Sequence, residues 1–177
     1  RKVLEQQQIE LPIVGRYGVG MIFLPTDAEE RKTCEEWIEE SILEEGQKIL
    51  GWRDVPHGSS GIGEIARSAK PEFKQVFIGR TADVPDQEAF ERKLYVIRKR
   101  IENKVLASDL SQKHAFYMCS LSSNTIVYKG QLMAEQFPNF YADLADPDCI
   151  SAIAVVHSRY STNSFPTWKL AQPCRIV

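Results

Sequence analysis

The stretch AFYMCSLSSNTIVYKGQL, Ala115 to Leu132, holds two apolar runs, Ala115 to Leu121 and Thr125 to Val127, on either side of Ser122-Ser123-Asn124. Two short apolar runs around a turn-forming triplet predict a β-hairpin. Antiparallel strands can be joined by a tight turn, whereas parallel ones need a long crossover. This reading therefore makes the sheet antiparallel at that point, and the rest of the chain is read outward from it.

Upstream, RYGVGMIFL (Arg16 to Leu24) predicts a buried strand, with two glycines where neighbours approach closely. TDAEERKTCEEWIEESILEEG follows. Thr26 with Glu29 three residues on predicts a capping box. Cys34, Trp37, Ile38, Ser41 and Ile42 share one helical face, and Gly46 ends the helix. KILGWRDVP (Lys48 to Pro56) reads as a short strand stopped by proline. Ser59 or Ser60 caps a short helix through Ile62, Ile65, Ala66 and Ala69, closed by Pro71. KQVFIGR (Lys74 to Arg80) is a strand. Asp86 caps a helix with Phe90, Leu94, Ile97, Ile101 and Val105 on one side. Downstream of the hairpin, Met133, Phe137, Phe140 and Leu144 predict a short helix, and ISAIAVV (Ile150 to Val156) a buried strand. Helices interleave with strands paired through a hairpin, so the class is α+β with a mainly antiparallel sheet.

With 177 residues, 43% apolar and 26% charged, the composition is that of one ordinary globular domain or most of one. A net charge of −2 gives no reason to expect nucleic acid or a membrane surface as partner. No apolar run approaches the ~18–20 residues that span a bilayer, and the polar start RKVLEQQQIE does not read as a signal peptide. Cys34, Cys119, Cys149 and Cys174 are scattered with no CxxC, which fits reduced thiols better than a disulfide or zinc framework. The chain begins at Arg1 and stops at the apolar pair Ile176-Val177, so the expectation is one piece of a larger polypeptide, cut at both ends.

Most candidate chemistry has a plainer explanation. Gly58 to Gly63 could cradle a phosphate, but it matches neither GxxxxGK[ST] nor GxGxxG and serves as a turn leading into a helix. The basic run Arg92 to Arg100 is interleaved with Leu94 and Ile97 and diluted by Glu88, Glu91 and Glu102, so it reads as the wet face of a helix. His57 and His114 are isolated, and Cys119 reads as a packed thiol.

HSRYSTNSFP, His157 to Pro166, is different. A guanidinium at a strand end can take a carboxylate in a planar, bidentate pair. Ser161 and Thr162 follow two and three residues on, where their hydroxyls can turn back toward the same anion. Asn163 tolerates a turn and both donates and accepts. The set suits a small zwitterion such as an α-amino acid. An arginine bracing a turn through an acidic residue remains the competing explanation.

Taken together, YGVGMIFLP, LGWRDVP, AFERKLYVIRKRIEN, FYMCSLSSNTIVYKGQL, FYADL and HSRYSTNSFPTWKLAQP resemble, in that order, the type 2 glutamine amidotransferase domain of the glutamate synthase large subunit. The likeness runs from Gly15 to Val177. It implies a partial N-terminal-nucleophile (Ntn) hydrolase fold, a four-layer αββα sandwich with mainly antiparallel sheets, and places residues 1–177 within one such domain. It implies hydrolysis of glutamine to glutamate and ammonia, the ammonia then serving reductive amination of 2-oxoglutarate. Its R-[FYW]-[SA]-T motif assigns the glutamine pocket to Arg159, on the α-carboxylate, and to Thr162. His157, Ser161 and Asn163 take supporting parts. An N-terminal cysteine nucleophile and an asparagine–glycine oxyanion hole are expected outside this chain, which holds no catalytic residue and would be inactive alone. FMN and an iron–sulfur cluster are implied for the full-length protein and none for this segment. The implied partners are L-glutamine, the rest of the polypeptide and a small reductase subunit, in the cytoplasm or, in a photosynthetic eukaryote, the plastid. A stand-alone amino-acid-binding module and a structural inserted domain are the alternatives.

Overall fold

The computed structural model describes residues 9–160 and 163–173. Along the chain these form β1 (Tyr17–Leu24), α1 (Ala28–Glu44), β2 (Lys48–Asp54), α2 (Glu64–Ser68), β3 (Glu72–Gly79), α3 (Gln87–Ala107), β4 (Tyr117–Ser122) and α4 (Phe137–Phe140). Single 3-10 turns at Ala134–Gln136 and Ala142–Ala145 flank α4. The residues fall into two compact units, one of residues 9–54 and 71–126, the other of residues 55–70, 127–160 and 163–173.

The first unit is built on a four-stranded sheet of order β2-β3-β1-β4 in which every pairing is antiparallel. β1 lies inside the sheet, with Tyr17 opposite Gly79 on β3 and Phe23 opposite Tyr117 on β4. Ile22, Leu24, Val76, Ile78, Met118 and Leu121 form one apolar surface with Cys34, Ile38 and Ile42 of α1 and Phe90, Leu94, Ile97, Ile101 and Val105 of α3. Burying each large aliphatic or aromatic side chain contributes roughly 1.5–3 kcal/mol, so this shared core is the main source of the unit's stability. The two glycines of β1 are part of it. A Cβ at Gly18 would stand 2.6 Å from Leu94 Cδ1, and one at Gly20 would stand 2.8 Å from Val76 Cγ1. The expected close approach is therefore present. The α+β class with antiparallel strands holds as expected.

Several local expectations change. The cap of α1 is Asp27 rather than Thr26: its Oδ1 accepts from the Glu29 and Glu30 amides at 3.1 and 2.9 Å. Thr26 is occupied elsewhere, its hydroxyl and amide donating to Gln112 Oε1 at 3.1 and 2.9 Å. Aspartate caps at least as well as threonine, so the neighbour free to cap does so. Asp86 caps α3 as expected, accepting from the Ala89 amide at 2.7 Å.

The hairpin does not form. β4 pairs with β1, and Thr125 to Val127 is not a strand. The turn amides are taken by side chains instead. Glu91 of α3 accepts from the amide and hydroxyl of Ser123 and from the Ser122 hydroxyl. Ser122 Oγ in turn accepts from the Asn124 and Thr125 amides at 3.0 and 3.2 Å. These bonds hold Ser123 to Thr125 against α3 rather than in a tight hairpin turn.

The second unit is irregular. α2 starts after Gly63, so neither Ser59 nor Ser60 caps it. The expected helix at Met133–Leu144 is three short turns instead, with Pro138 inside the middle one. Met133 and Leu144 are exposed, and Phe140 is buried. Its ring meets Tyr141 edge-on at 4.8 Å, Trp168 at 5.5 Å and a stacked His57 at 5.5 Å. Ile150 to Val156 is not a strand. Ile150, Ile153, Val155 and Val156 are 87%, 79%, 79% and 90% exposed. A β-branched apolar run becomes a buried strand only where a ladder partner exists, and among the described residues this run has none.

Candidate functional site

His157, Arg159, Tyr160 and Asn163 all belong to the second unit, on chain without regular secondary structure. Arg159 is exposed, and among the described residues its side chain makes no ion pair. It does not close a strand, which corrects the expectation built on Ile150 to Val156. His157 is exposed as well, and its Nε2 lies within hydrogen-bonding reach of the Arg159 carbonyl oxygen. That contact involves the Arg159 backbone and does not engage the guanidinium. Asn163 sits at φ 63°, in the left-handed region that asparagine tolerates better than most residues. Ser161 and Thr162 lie outside the described residues.

The anchors of this segment are residues to which the sequence reading gave no role. The Tyr160 hydroxyl is shared between the carbonyl oxygens of Thr167 at 3.2 Å and Gly130 at 3.4 Å. Burial pushes its phenol up to about 12, so it remains a donor. Lys129 is fully buried, and its Nζ donates to the Lys169 carbonyl at 2.8 Å and the Pro173 carbonyl at 3.2 Å. The Lys129 carbonyl accepts from the Tyr141 hydroxyl at 2.8 Å. Trp168 Nε1 donates to the Ala66 carbonyl at 2.8 Å, and the indole lies so close to Gly130 that a Cβ there would be 2.6 Å from Cζ3. The available signal was the polar triplet Tyr128-Lys129-Gly130 directly after an apolar run, which the hairpin reading absorbed.

The other candidates stay structural. Arg92, Lys93, Arg98, Lys99, Arg100 and Lys104 of α3 are each ion-paired to a glutamate. The basic run is therefore a neutralised surface rather than a free cationic stripe. The Gly58–Gly63 loop leads into a helix of five residues, too short to present a strong N-terminal dipole. His57 is stacked on Phe140 and His114 is exposed. Cys34 and Cys119 are buried, Cys149 is exposed, and Cys174 lies outside the described residues. Burial pushes the Cys34 thiol up to about 11, which removes it as a nucleophile at neutral pH. Among the described residues no group of three His, Cys, Asp or Glu could hold a metal ion, and no helix is long and apolar enough to cross a membrane.

Comparison with known proteins adds a family to this geometry. The family model described as class-II glutamine amidotransferases matches residues 1–177. A glutamate synthase [NADPH] large chain of Bacillus subtilis is 51% identical over 173 residues, which is 98% of this chain and 11% of that one. The corresponding large chain of Azospirillum brasilense is 45% identical over 165 residues, 92% of this chain and 10% of the relative. A chloroplastic ferredoxin-dependent glutamate synthase of Oryza sativa subsp. japonica is 40% identical over 160 residues, 90% and 10% respectively. The chain spans about a tenth of the length of these curated relatives.

Proposed function

Because this chain belongs to the class-II glutamine amidotransferases, the Ntn-hydrolase type of amidotransferase, we propose that it is the glutamine-binding part of the glutaminase domain in a glutamate synthase large chain. The reaction is hydrolysis of the glutamine side-chain amide to glutamate and ammonia, the ammonia being used to aminate 2-oxoglutarate reductively elsewhere in the polypeptide. Arg159 holds the α-carboxylate of glutamine, and Thr162 lies in the same pocket. His157, Ser161 and Asn163 support them. Neither the nucleophilic cysteine nor the oxyanion-hole asparagine and glycine is assigned to a residue of this chain. The reading covers residues 1–177 as part of one domain that continues beyond them.

The observation that carries this reading is the state of Arg159. It stands in the motif Arg159-Tyr160-Ser161-Thr162, exposed and with no acidic partner among the described residues. An arginine whose task was to brace a turn would be paired to a carboxylate. One waiting for a substrate carboxylate is unpaired until the substrate arrives, and its planar fork then gives both affinity and orientation.

FMN and an iron–sulfur cluster are assigned to the remainder of the polypeptide. No group of described residues fits a metal centre, and no step proposed here runs through either cofactor. A small reductase subunit would meet that remainder, and the proposed compartment is the cytoplasm, or the plastid of a photosynthetic eukaryote. No nucleic acid or membrane partner is proposed.

The test is steady-state glutamine hydrolysis by full-length enzyme carrying Arg159→Ala. A hydrogen bond to a charged group contributes ~1.5–3 kcal/mol, so kcat/KM for glutamine should fall roughly ten- to a hundredfold, mainly through KM. Glutamine kinetics indistinguishable from wild type would refute the assignment.

A further inference from the structure

The geometry points to Lys129 and Tyr160 as positioning residues that hold the Arg159 backbone in place for glutamine. This inference rests on the reading of Arg159 given above. A guanidinium on irregular, exposed chain needs something to keep it ready.

A bidentate arginine–carboxylate pair is directional, and its benefit falls if the arginine's backbone must first be ordered. Upstream there is no strand among the described residues to order it: Ile150, Ile153, Val155 and Val156 are exposed, and the His157 ring contacts only the Arg159 carbonyl oxygen. The first fixed point is the residue after Arg159. The Tyr160 hydroxyl is held by the Gly130 and Thr167 carbonyls. The second is downstream, where Lys129 Nζ spans the Lys169 and Pro173 carbonyls. Both lead back to three consecutive residues. Tyr128 donates to Asp143 Oδ2 at 2.7 Å, Lys129 clamps the downstream backbone, and Gly130 receives Tyr160 while lying under Trp168. One short stretch of chain thus secures the chain that follows Arg159 at two points, Tyr160 and the Lys169–Pro173 backbone.

The choice of lysine supports a positioning task. A fully buried ammonium is tolerated only when its protons are used. An apolar side chain would fill the same space without that cost, but it could not hold two carbonyl oxygens at a fixed spacing. Gly130 is constrained for a related reason, since a Cβ there would stand 2.6 Å from Trp168 Cζ3 and the indole or the backbone would have to shift.

The experiment is a double-mutant cycle in full-length enzyme, reading KM and kcat for L-glutamine in wild type, Tyr160→Phe, Arg159→Ala and the double variant. Tyr160→Phe removes one hydroxyl and keeps the ring. It should raise KM roughly two- to tenfold while kcat changes little. In the Arg159→Ala background the same change should add almost nothing, because the group being positioned is gone. Lys129→Met, run through the same cycle, should show the same dependence on Arg159; if it does not fold, Tyr160→Phe alone decides. The inference is overturned if Tyr160→Phe leaves KM unchanged in a folded enzyme, or if its effect is as large without Arg159 as with it. If Arg159→Ala raises KM and Tyr160→Phe does not, the pocket assignment stands and only the positioning role fails. If Arg159→Ala itself has no effect, both fail together.

Discussion

In the unit of residues 9–54 and 71–126, four strands and two long helices share one apolar core, and that core's side chains recur at strand and helix periods. In the other unit the elements are single turns. Its order comes from an aromatic cluster around Phe140 and from side chains that donate to distant carbonyls, such as Lys129 and Trp168. Of the proposed glutamine-binding residues, His157, Arg159 and Asn163 are described and lie in the second unit. Scaffold and site are therefore stabilised by different kinds of interaction. Apolar burial is diffuse and redundant, whereas a carbonyl held by one lysine or one indole depends on a single group. Functional residues on loops are ordinary; what this chain adds is a way of holding such a loop with point contacts rather than a core.

The largest effect should come from the core. Phe90 is completely buried between helix and sheet. Phe90→Ala removes an aromatic ring from a close-packed site and should cost about 3–5 kcal/mol in urea unfolding. Trp168→Phe tests the other unit. It keeps most of the apolar surface but deletes the donor to the buried Ala66 carbonyl. Leaving that carbonyl unsatisfied should cost about 1–3 kcal/mol. The contrast breaks if Trp168→Phe costs nothing, since the second unit would then rest on apolar burial like the first.

The same contrast explains what could be read from the sequence. α1, α3, β1 and β3 were legible because their core residues repeat at a helical or strand period, as Phe90, Leu94, Ile97, Ile101 and Val105 do in α3 and Ile22 and Leu24 do in β1. Periodicity reports burial against one continuous surface. It failed where order is set by single side chains. Ser122, Ser123 and Glu91 set the chain direction after β4 through contacts that no spacing rule contains. Ile150 to Val156 has a strand's composition without a strand's partner, and a partner is not a property of the run itself. Arg159 was singled out in the sequence because its type and neighbours are unusual. Its anchors were not, because Lys129 and Tyr160 act on carbonyls 40 and 7 residues away in sequence.

The smallest effect concerns the charges between α1 and α3, and it has a sign that pH can check. Glu45 accepts from Lys93 Nζ at 3.1 Å and Arg100 Nη1 at 2.9 Å. The Lys93 hydrogen bond above all, helped by the charges of Lys93 and Arg100 and opposed by partial desolvation, holds the carboxyl below its ordinary value of 4.5. A carboxyl whose folded value lies below its unfolded one binds fewer protons in the folded state. Its stabilising contribution is complete above the unfolded value and is lost as pH falls through the folded one. Lys93 and Arg100 side chains are 42% and 47% exposed, so solvent screens the pairs. Glu45→Gln should therefore cost about 1 kcal/mol or less at pH 7. That difference should shrink when the unfolding is repeated at pH 3, and also at high salt. A gap that widened toward low pH would mean Glu45 is held in its protonated form, and the ion pairs on this face would then have to be reassigned. A gap at pH 7 as large as that of Phe90→Ala would remove the distinction between a core that carries the sheet unit and a charged surface that adds only a small increment to it.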